Sequence, residues 1–133
     1  MRARRFDGWL ASAVLGHFLV SVFHGRAHDG GQVALSTAQS LFVYIVILAM
    51  PFVGLATAFV RPRLGGAIVG ASMAASLLFG LINHFLVLSP DHVSQVASEW
   101  RPLFTSTAIL LIITEAAGLV AGLRAAIGRE VFS

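Results

Sequence analysis

Five histidines are the residues of this chain whose type and spacing could do chemistry. His17, His24 and His28 fall in the apolar stretch "LGHFLVSVFHGRAHDG", and His84 and His92 fall in "LINHFLVLSPDHV". Neutral imidazole is the commonest side-chain ligand for metals such as zinc, copper, nickel and iron. The chain has no cysteine, which excludes disulfides, thiolate metal sites and thiol catalysis. A bound metal would therefore depend on imidazole and carboxylate groups.

The first three histidines share one side of a helix. At about 100° per residue, His17, His24 and His28 point within about 60° of one another, together with Ser21. His24 and His28 are also spaced i, i+4, which can place two imidazoles on one metal ion. If the helix continues to residue 28, these side chains form a polar stripe from the middle of the membrane to its surface.

The later histidines can meet this stripe because they lie at matching depths. His84 is about four residues inside the end of its apolar segment, and His24 is near the end of the first segment, so at about 1.5 Å per residue they are level. His28 and His92 lie just beyond them. We therefore predict one site with His24 and His84 as central ligands and with His28 and His92 as rim ligands or gates.

The ligand of this site is predicted to be a transition metal ion (Zn, Cu, Ni or Fe) or haem b. Two imidazoles on different helices at one depth can bind haem iron from both sides. The arrangement is broadly similar to that of membrane cytochromes b, whose four-helix bundles use histidines from facing helices. The chain departs from that pattern because a second pair, in the other half of the membrane, is missing.

Two ionisable residues lie deeper in the apolar segments. His17 and Glu115, in "IITEAAG", are expected at similar depths, about 12–14 Å below the surface at 1.5 Å per residue. Because an ionisable group inside a membrane span is costly, it marks a functional site by default. We predict that His17 and Glu115 form either a buried polar contact that fastens helices together or a proton relay.

The composition places these residues in a membrane protein. The chain is 57% hydrophobic and 11% charged, with a mean hydropathy of +0.86, whereas soluble domains carry about 25% charged residues. Each apolar stretch has close to the roughly 20 residues that cross a bilayer as a helix. We predict an all-α polytopic membrane protein in which residues 1–133 form one transmembrane domain, a compact four-helix bundle. Its spans cover about residues 8–26, 36–60, 65–88 and 103–126.

The arginines predict the orientation of the spans. Seven of the nine fall on one side of a four-span bundle, whereas Arg26 and Arg101 fall on the other. The positive-inside rule then puts both termini in the cytoplasm and the histidine loops outside.

Arginine without lysine, together with abundant alanine and glycine, is typical of GC-rich bacterial genomes, which predicts the bacterial inner membrane. Because the first apolar run lacks a small-residue cleavage site, we expect it to be retained as a span.

The loop between spans 3 and 4 is predicted to contain a short amphipathic helix on the outer surface. Ser89 could cap it, and Pro90 suits its first position. Val93, Val96 and Trp100 then recur at helical spacing.

Small residues are predicted to pack the helices. Gly66 and Gly70 are four residues apart in span 3, as are Gly118 and Gly122 in span 4. Such pairs let helix backbones approach closely in lipid. They favour a compact bundle, and the alternative is a seam between two copies of the chain.

Three functions remain open from the sequence. The first is metal or haem binding; the second is a non-catalytic accessory subunit of a larger membrane complex; the third is a proton-coupled transporter that uses His17 and Glu115. Catalytic signatures are absent, which disfavours an enzyme. The arginines cluster at span ends rather than on one face, which argues against nucleic-acid binding. The predicted partners are the lipid bilayer and either further copies of the chain or subunits of a complex.

The orientation is testable with reporter fusions after Gly30, Arg63 and Glu99. The seven-to-two division of the arginines predicts that the fusions after Gly30 and Glu99 lie outside the membrane. The fusion after Arg63 should lie in the cytoplasm. Outside activity of the Arg63 fusion would contradict the topology.

Overall fold

Four long helices make up the structure, a computed structural model that describes residues 7–128. They are α1 (Gly8–Gly30), α2 (Thr37–Val60), α3 (Pro62–Leu86) and α4 (Arg101–Ile127). Within the described residues the chain contains no strand. All four helices are long and apolar enough to cross a membrane, which suggests a multi-pass membrane protein. The predicted all-α, four-span architecture is confirmed to this extent.

Local sequence signals set the helix ends. The Asp7 side chain accepts hydrogen bonds from the backbone N–H groups of Trp9 and Leu10 at the start of α1. Ser36 and Gln39 form a reciprocal capping box at the start of α2. Pro62 begins α3, where its missing N–H costs no helical hydrogen bond. Arg61 alone therefore separates α2 from α3.

The first helix is longer than the predicted span. It continues to Gly30, and the N–H of Gly31 donates to the carbonyl of Ala27. His28 is therefore helical, and it stays on the same stripe as His17 and His24. We call the end of the bundle at which α1 ends and α4 begins the histidine end.

Two helices contain wider, π-helical segments. In α2 this segment covers Val43–Ala49 and directly precedes the turn that holds Pro51. Proline has no N–H, so the carbonyl four residues earlier, that of Ile47, loses its α-helical donor. In α3 the segment covers Ile82–Leu86 and includes His84. Such segments are frequent at functional sites, and both lie beside the histidines.

Glycines bring α3 and α4 into direct backbone contact. A Cβ added to Gly122 would lie 2.6 Å from the Cα of Gly70 and 2.8 Å from the carbonyl oxygen of Gly66. Gly118 leaves space for Met73, whose Cγ would be 2.7 Å and whose Sδ would be 2.9 Å from a Cβ at that position. The structure thus places all four predicted packing glycines at contacts within one chain. A second close contact, between Gly54 of α2 and Val69 of α3, was not predicted.

The predicted amphipathic helix between α3 and α4 is wrong. Residues 87–100 form bends and turns instead. The backbone groups that a helix would use have other partners, because the Val93 N–H donates to the carbonyl of His84 and the Arg101 guanidinium donates to the carbonyl of Val96. The three residues whose spacing suggested a helix, Val93, Val96 and Trp100, pack against the bundle. Val96 is buried with Ala27, Val33 and Phe104, so the spacing reflects packing against α1 and α4 rather than against lipid.

The α3–α4 contact predicts different outcomes for two matched alanine substitutions. Gly122→Ala should lower the free energy of unfolding by about 1–3 kcal/mol, because the new methyl group meets backbone atoms that cannot move aside. Gly70→Ala gains the same helix propensity, but its methyl group would lie 3.6 Å from the nearest atoms. It should therefore be no less stable than the wild type. Unfolding by denaturing detergent measures both, and equal stabilities would contradict the packing described here.

Candidate metal centre

Two buried histidines and one half-buried histidine converge at the histidine end of the bundle. His24 and His28 come from α1 and His84 comes from α3, and each offers a ring nitrogen within 4.8 Å of the others. The ring centroids of His24 and His84 are 4.8 Å apart, and those of His24 and His28 are 4.9 Å apart. These three residues, which we call the histidine cluster, could hold a metal ion.

A phenylalanine lies against all three rings. The centroid of the Phe104 ring is 4.7 Å from that of His24, 4.9 Å from that of His28 and 5.2 Å from that of His84. Phe104 is fully buried at the start of α4. It closes one side of the histidine cluster with an apolar surface, so the polar ring nitrogens depend on the protein for their partners.

The hydrogen bonds of Thr107 favour one tautomer of His24. Nδ1 of His24 lies 2.8 Å from the hydroxyl oxygen of Thr107. That hydroxyl also lies 2.7 Å from the carbonyl of Leu103 and 3.1 Å from that of Phe104, so the acceptors for its single hydrogen lie on its own helix. The Thr107 oxygen therefore accepts, and His24 Nδ1–H donates. This leaves a lone pair on His24 Nε2.

His84 has the same tautomer for a different reason. Its Nδ1 lies 3.1 Å from the backbone carbonyl of Asp91 and 3.2 Å from the Oδ1 of the same residue. Both oxygens accept hydrogen bonds only, so Nδ1 must donate. His84 Nε2 therefore also carries a lone pair.

These two lone pairs face each other. His24 Nε2 and His84 Nε2 are 3.2 Å apart in a buried site. If both Nδ1 atoms carry the hydrogen, neither Nε2 can donate to the other, and the two lone pairs repel each other unless a cation lies between them. A direct hydrogen bond would need His24 to take the other tautomer. Thr107 would then have to abandon its 2.7 Å bond to Leu103 in order to donate to Nδ1.

His28 and Asp91 complete the surroundings of the cluster. His28 Nδ1 lies 3.4 Å from the carbonyl of Val33, and Nε2 lies 3.3 Å from Asp91 Oδ1. Asp91 is 3% exposed, and neither of its carboxylate oxygens has the geometry of a hydrogen bond. A buried carboxylate without hydrogen bonds is costly unless a positive charge lies nearby. The histidine cluster and Asp91 together could therefore hold a cation.

The structure does not bring His92 into the histidine cluster. Its Nε2 contacts the carbonyl of Phe85 at 3.2 Å, and its Nδ1 contacts the hydroxyl of Ser94 at 2.8 Å. Three of the four predicted ligands thus come together, and His92 lies apart in the loop.

His17 and Glu115 form a separate buried pair. His17 Nε2–H donates to the carbonyl of Ile47, which Pro51 leaves without its helical donor, over 3.1 Å. His17 Nδ1 lies 4.0 Å from Glu115 Oε1, too far for a hydrogen bond. Both residues are at most 2% exposed.

A cavity of about 210 Å³ joins the histidine cluster to Glu115. Helix α2 supplies one wall, with Tyr44 and Ile47 among its residues, and Ser76 and Gly80 of α3 supply another. His24, His28, His84, Asp91 and Glu115 all line this cavity. An ion held by the histidines would therefore adjoin a space that is large enough for water.

Comparison of the chain with models of known protein families, with curated proteins and with solved structures gives no match. The function is therefore inferred from the geometry of the site.

Sequence reasoning missed two parts of the site. Thr107 is one of several hydroxyl residues on α4, and its spacing does not distinguish it from Ser106 or Thr114. The hydrogen-bond acceptor at Ile47 can be predicted from the sequence. Pro51, four residues later, has no N–H to donate to the Ile47 carbonyl.

The role of Thr107 is testable in the metal-free protein. Thr107→Val keeps the shape of the side chain but removes the acceptor for His24 Nδ1–H. A buried donor without a partner costs about 1–3 kcal/mol, and the free energy of unfolding should fall by that amount. The control is Ser106→Ala, because Ser106 is exposed and bonds only to its own helix. It should change the free energy by less than about 0.5 kcal/mol. Equal effects would contradict the buried hydrogen bond between His24 and Thr107.

Proposed function

We propose that the protein is a membrane protein that binds one transition metal ion through His24, His28 and His84. The observation that carries this proposal is the contact between His24 Nε2 and His84 Nε2, where two ring nitrogens approach to 3.2 Å while both Nδ1 atoms face acceptors. A metal ion between them would turn an unfavourable contact into two bonds.

The spacing of the nitrogens supports a single ion more than haem b. Two nitrogens bound at about 2.1 Å to one tetrahedral zinc ion are about 3.4 Å apart. Ligands on opposite sides of one metal would be about 4.2 Å apart at the same bond length, and axial haem ligands stand opposite each other with the macrocycle between them. The observed 3.2 Å fits the first arrangement. The cavity of about 210 Å³ is also smaller than the roughly 300–1,000 Å³ of most cofactor pockets.

The surroundings of the cluster resemble those of metal-binding histidines in general. Such histidines almost always donate their second ring N–H to a carboxylate, a backbone carbonyl or water, which fixes the tautomer and orients the ring. His84 donates to Asp91 and His24 to Thr107. Three imidazoles beside a buried carboxylate, without sulfur ligands, suit a borderline divalent ion such as zinc.

The cavity supports a site that an ion can enter and leave. Three protein ligands leave a position open for water on a tetrahedral ion, whereas structural zinc sites fill all four positions with protein. Since His24, His28 and His84 all line the cavity, the open position would face it. This favours uptake, sensing or transfer of the ion over a purely structural role.

The proposal predicts which histidines determine the tightest metal site. The protein in detergent, stripped of metal and reloaded with Zn²⁺, should retain one equivalent through gel filtration when its metal content is measured by mass spectrometry. His24→Ala and His84→Ala should each weaken this site by at least about 100-fold, because removing a ligand costs more than the 10–100-fold of an outer contact. The control is His92→Ala, whose affinity should stay within about twofold of the wild type.

Two results would contradict the proposal. One is a wild-type protein that retains no zinc, copper, nickel or iron above the level of His24→Ala. The other is an equal loss of metal in His92→Ala. An empty protein that co-purifies with fixed partners would instead support an accessory subunit, with the histidines as contacts between helices.

A further inference from the structure

We propose that the same cavity contains a second, weaker position for the divalent cation, between His17 and Glu115. This inference rests on the proposed function of the histidine cluster. It extends that function because it gives the ion a place deeper among the helices.

The first support is the free lone pair of His17. Its Nε2–H donates to the carbonyl of Ile47, so its Nδ1 cannot carry a hydrogen in the neutral ring. That Nδ1 is buried and has no hydrogen-bond partner. The residue it faces is Glu115, whose oxygens accept when the carboxylate is ionised.

The second support is the carboxylate itself. Glu115 is 2% exposed, it lines the cavity, and its Oε2 has no hydrogen-bond partner. The two serines of α3 do not donate to it, because Ser76 donates to the carbonyl of Ser72 and Ser72 donates to that of Val69. An unpartnered carboxylate at this depth is costly unless a cation accompanies it.

The distance between the two groups is close to that of two ligands of one ion. His17 Nδ1 and Glu115 Oε1 are 4.0 Å apart. Two ligands of one tetrahedral zinc ion are about 3.4 Å apart at bond lengths of about 2.1 Å, so the two side chains would approach each other by about 0.6 Å to bind one ion. The remaining ligands would be waters in the cavity, each of which takes about 30 Å³. With two protein ligands instead of three, this position should bind more weakly than the histidine cluster.

Gly80 keeps the two positions connected. A Cβ at this residue would lie 3.8 Å from the His84 ring and 3.9 Å from Glu115 Oε2, so the absent side chain leaves the space between them open. Along α1, His17 is seven residues from His24, about 10 Å at 1.5 Å per residue. The two positions are therefore far enough apart to hold separate ions and close enough to exchange them through one cavity.

The experiment is a calorimetric titration of the metal-free protein in lipid nanodiscs with Zn²⁺. The wild type should bind two equivalents, one tight and one at least about tenfold weaker. Glu115→Gln keeps the shape of the side chain and should lose the weak equivalent, while the tight one stays within about twofold. The matched control is Thr114→Val, one position along α4, whose hydroxyl bonds only to its own helix. It should bind both equivalents.

The outcomes separate this inference from the proposed function. A wild type with one tight equivalent, indistinguishable from Glu115→Gln, would overturn the second position and leave the histidine site standing. A wild type that binds no metal would overturn both. If Glu115→Gln does not fold, His17→Gln provides the same test, and its retention of the weak equivalent would overturn the inference.

Discussion

The contact between two imidazole nitrogens, His24 Nε2 and His84 Nε2, is the constraint on which the site depends. Both rings direct their Nδ1 atoms at acceptors, so the two Nε2 lone pairs meet across 3.2 Å. In an apolar interior an uncompensated polar contact of this kind is costly, because no bulk water screens it. A cation between the rings would remove that cost, and the nearby carboxylate of Asp91 would favour its positive charge.

The fold provides what this contact requires. The extension of α1 to Gly30 keeps His24 and His28 on one stripe, and the π-helical end of α3 carries His84. The loop after α3 turns inward, so that Asp91 meets His84 instead of lying on a membrane surface. At the other end of the cavity, Pro51 frees the carbonyl that orients His17. Irregular backbone within apolar helices is tolerated where other groups form hydrogen bonds with the unpaired carbonyls. Here His17 bonds to the carbonyl of Ile47, and His92 bonds to that of Phe85.

Helix periodicity and depth were enough to anticipate much of the site. The rise per residue placed His24 level with His84, and the i, i+4 spacing placed His28 beside His24. The loop could not be anticipated, because its path depends on hydrogen bonds from Val93 to His84 and from Arg101 to Val96. The helical spacing of Val93, Val96 and Trp100 is also that of a surface helix, although these residues pack on the bundle from a loop. The depth of His92, just beyond His84, predicts it at the site, but its ring contacts the end of α3 at Phe85 and the loop at Ser94 instead.

The most direct test of the central claim is the X-ray absorption spectrum of the zinc-loaded protein at the zinc edge. We expect three imidazole ligands at about 2.0–2.1 Å from the zinc ion, with an oxygen in the remaining position. The spectrum should also show the multiple scattering that is characteristic of histidine rings. In His84→Ala that histidine signal should shrink or the zinc should be lost. A spectrum with fewer than two imidazoles, or one unchanged by His84→Ala, would contradict the claim that these histidines share one ion.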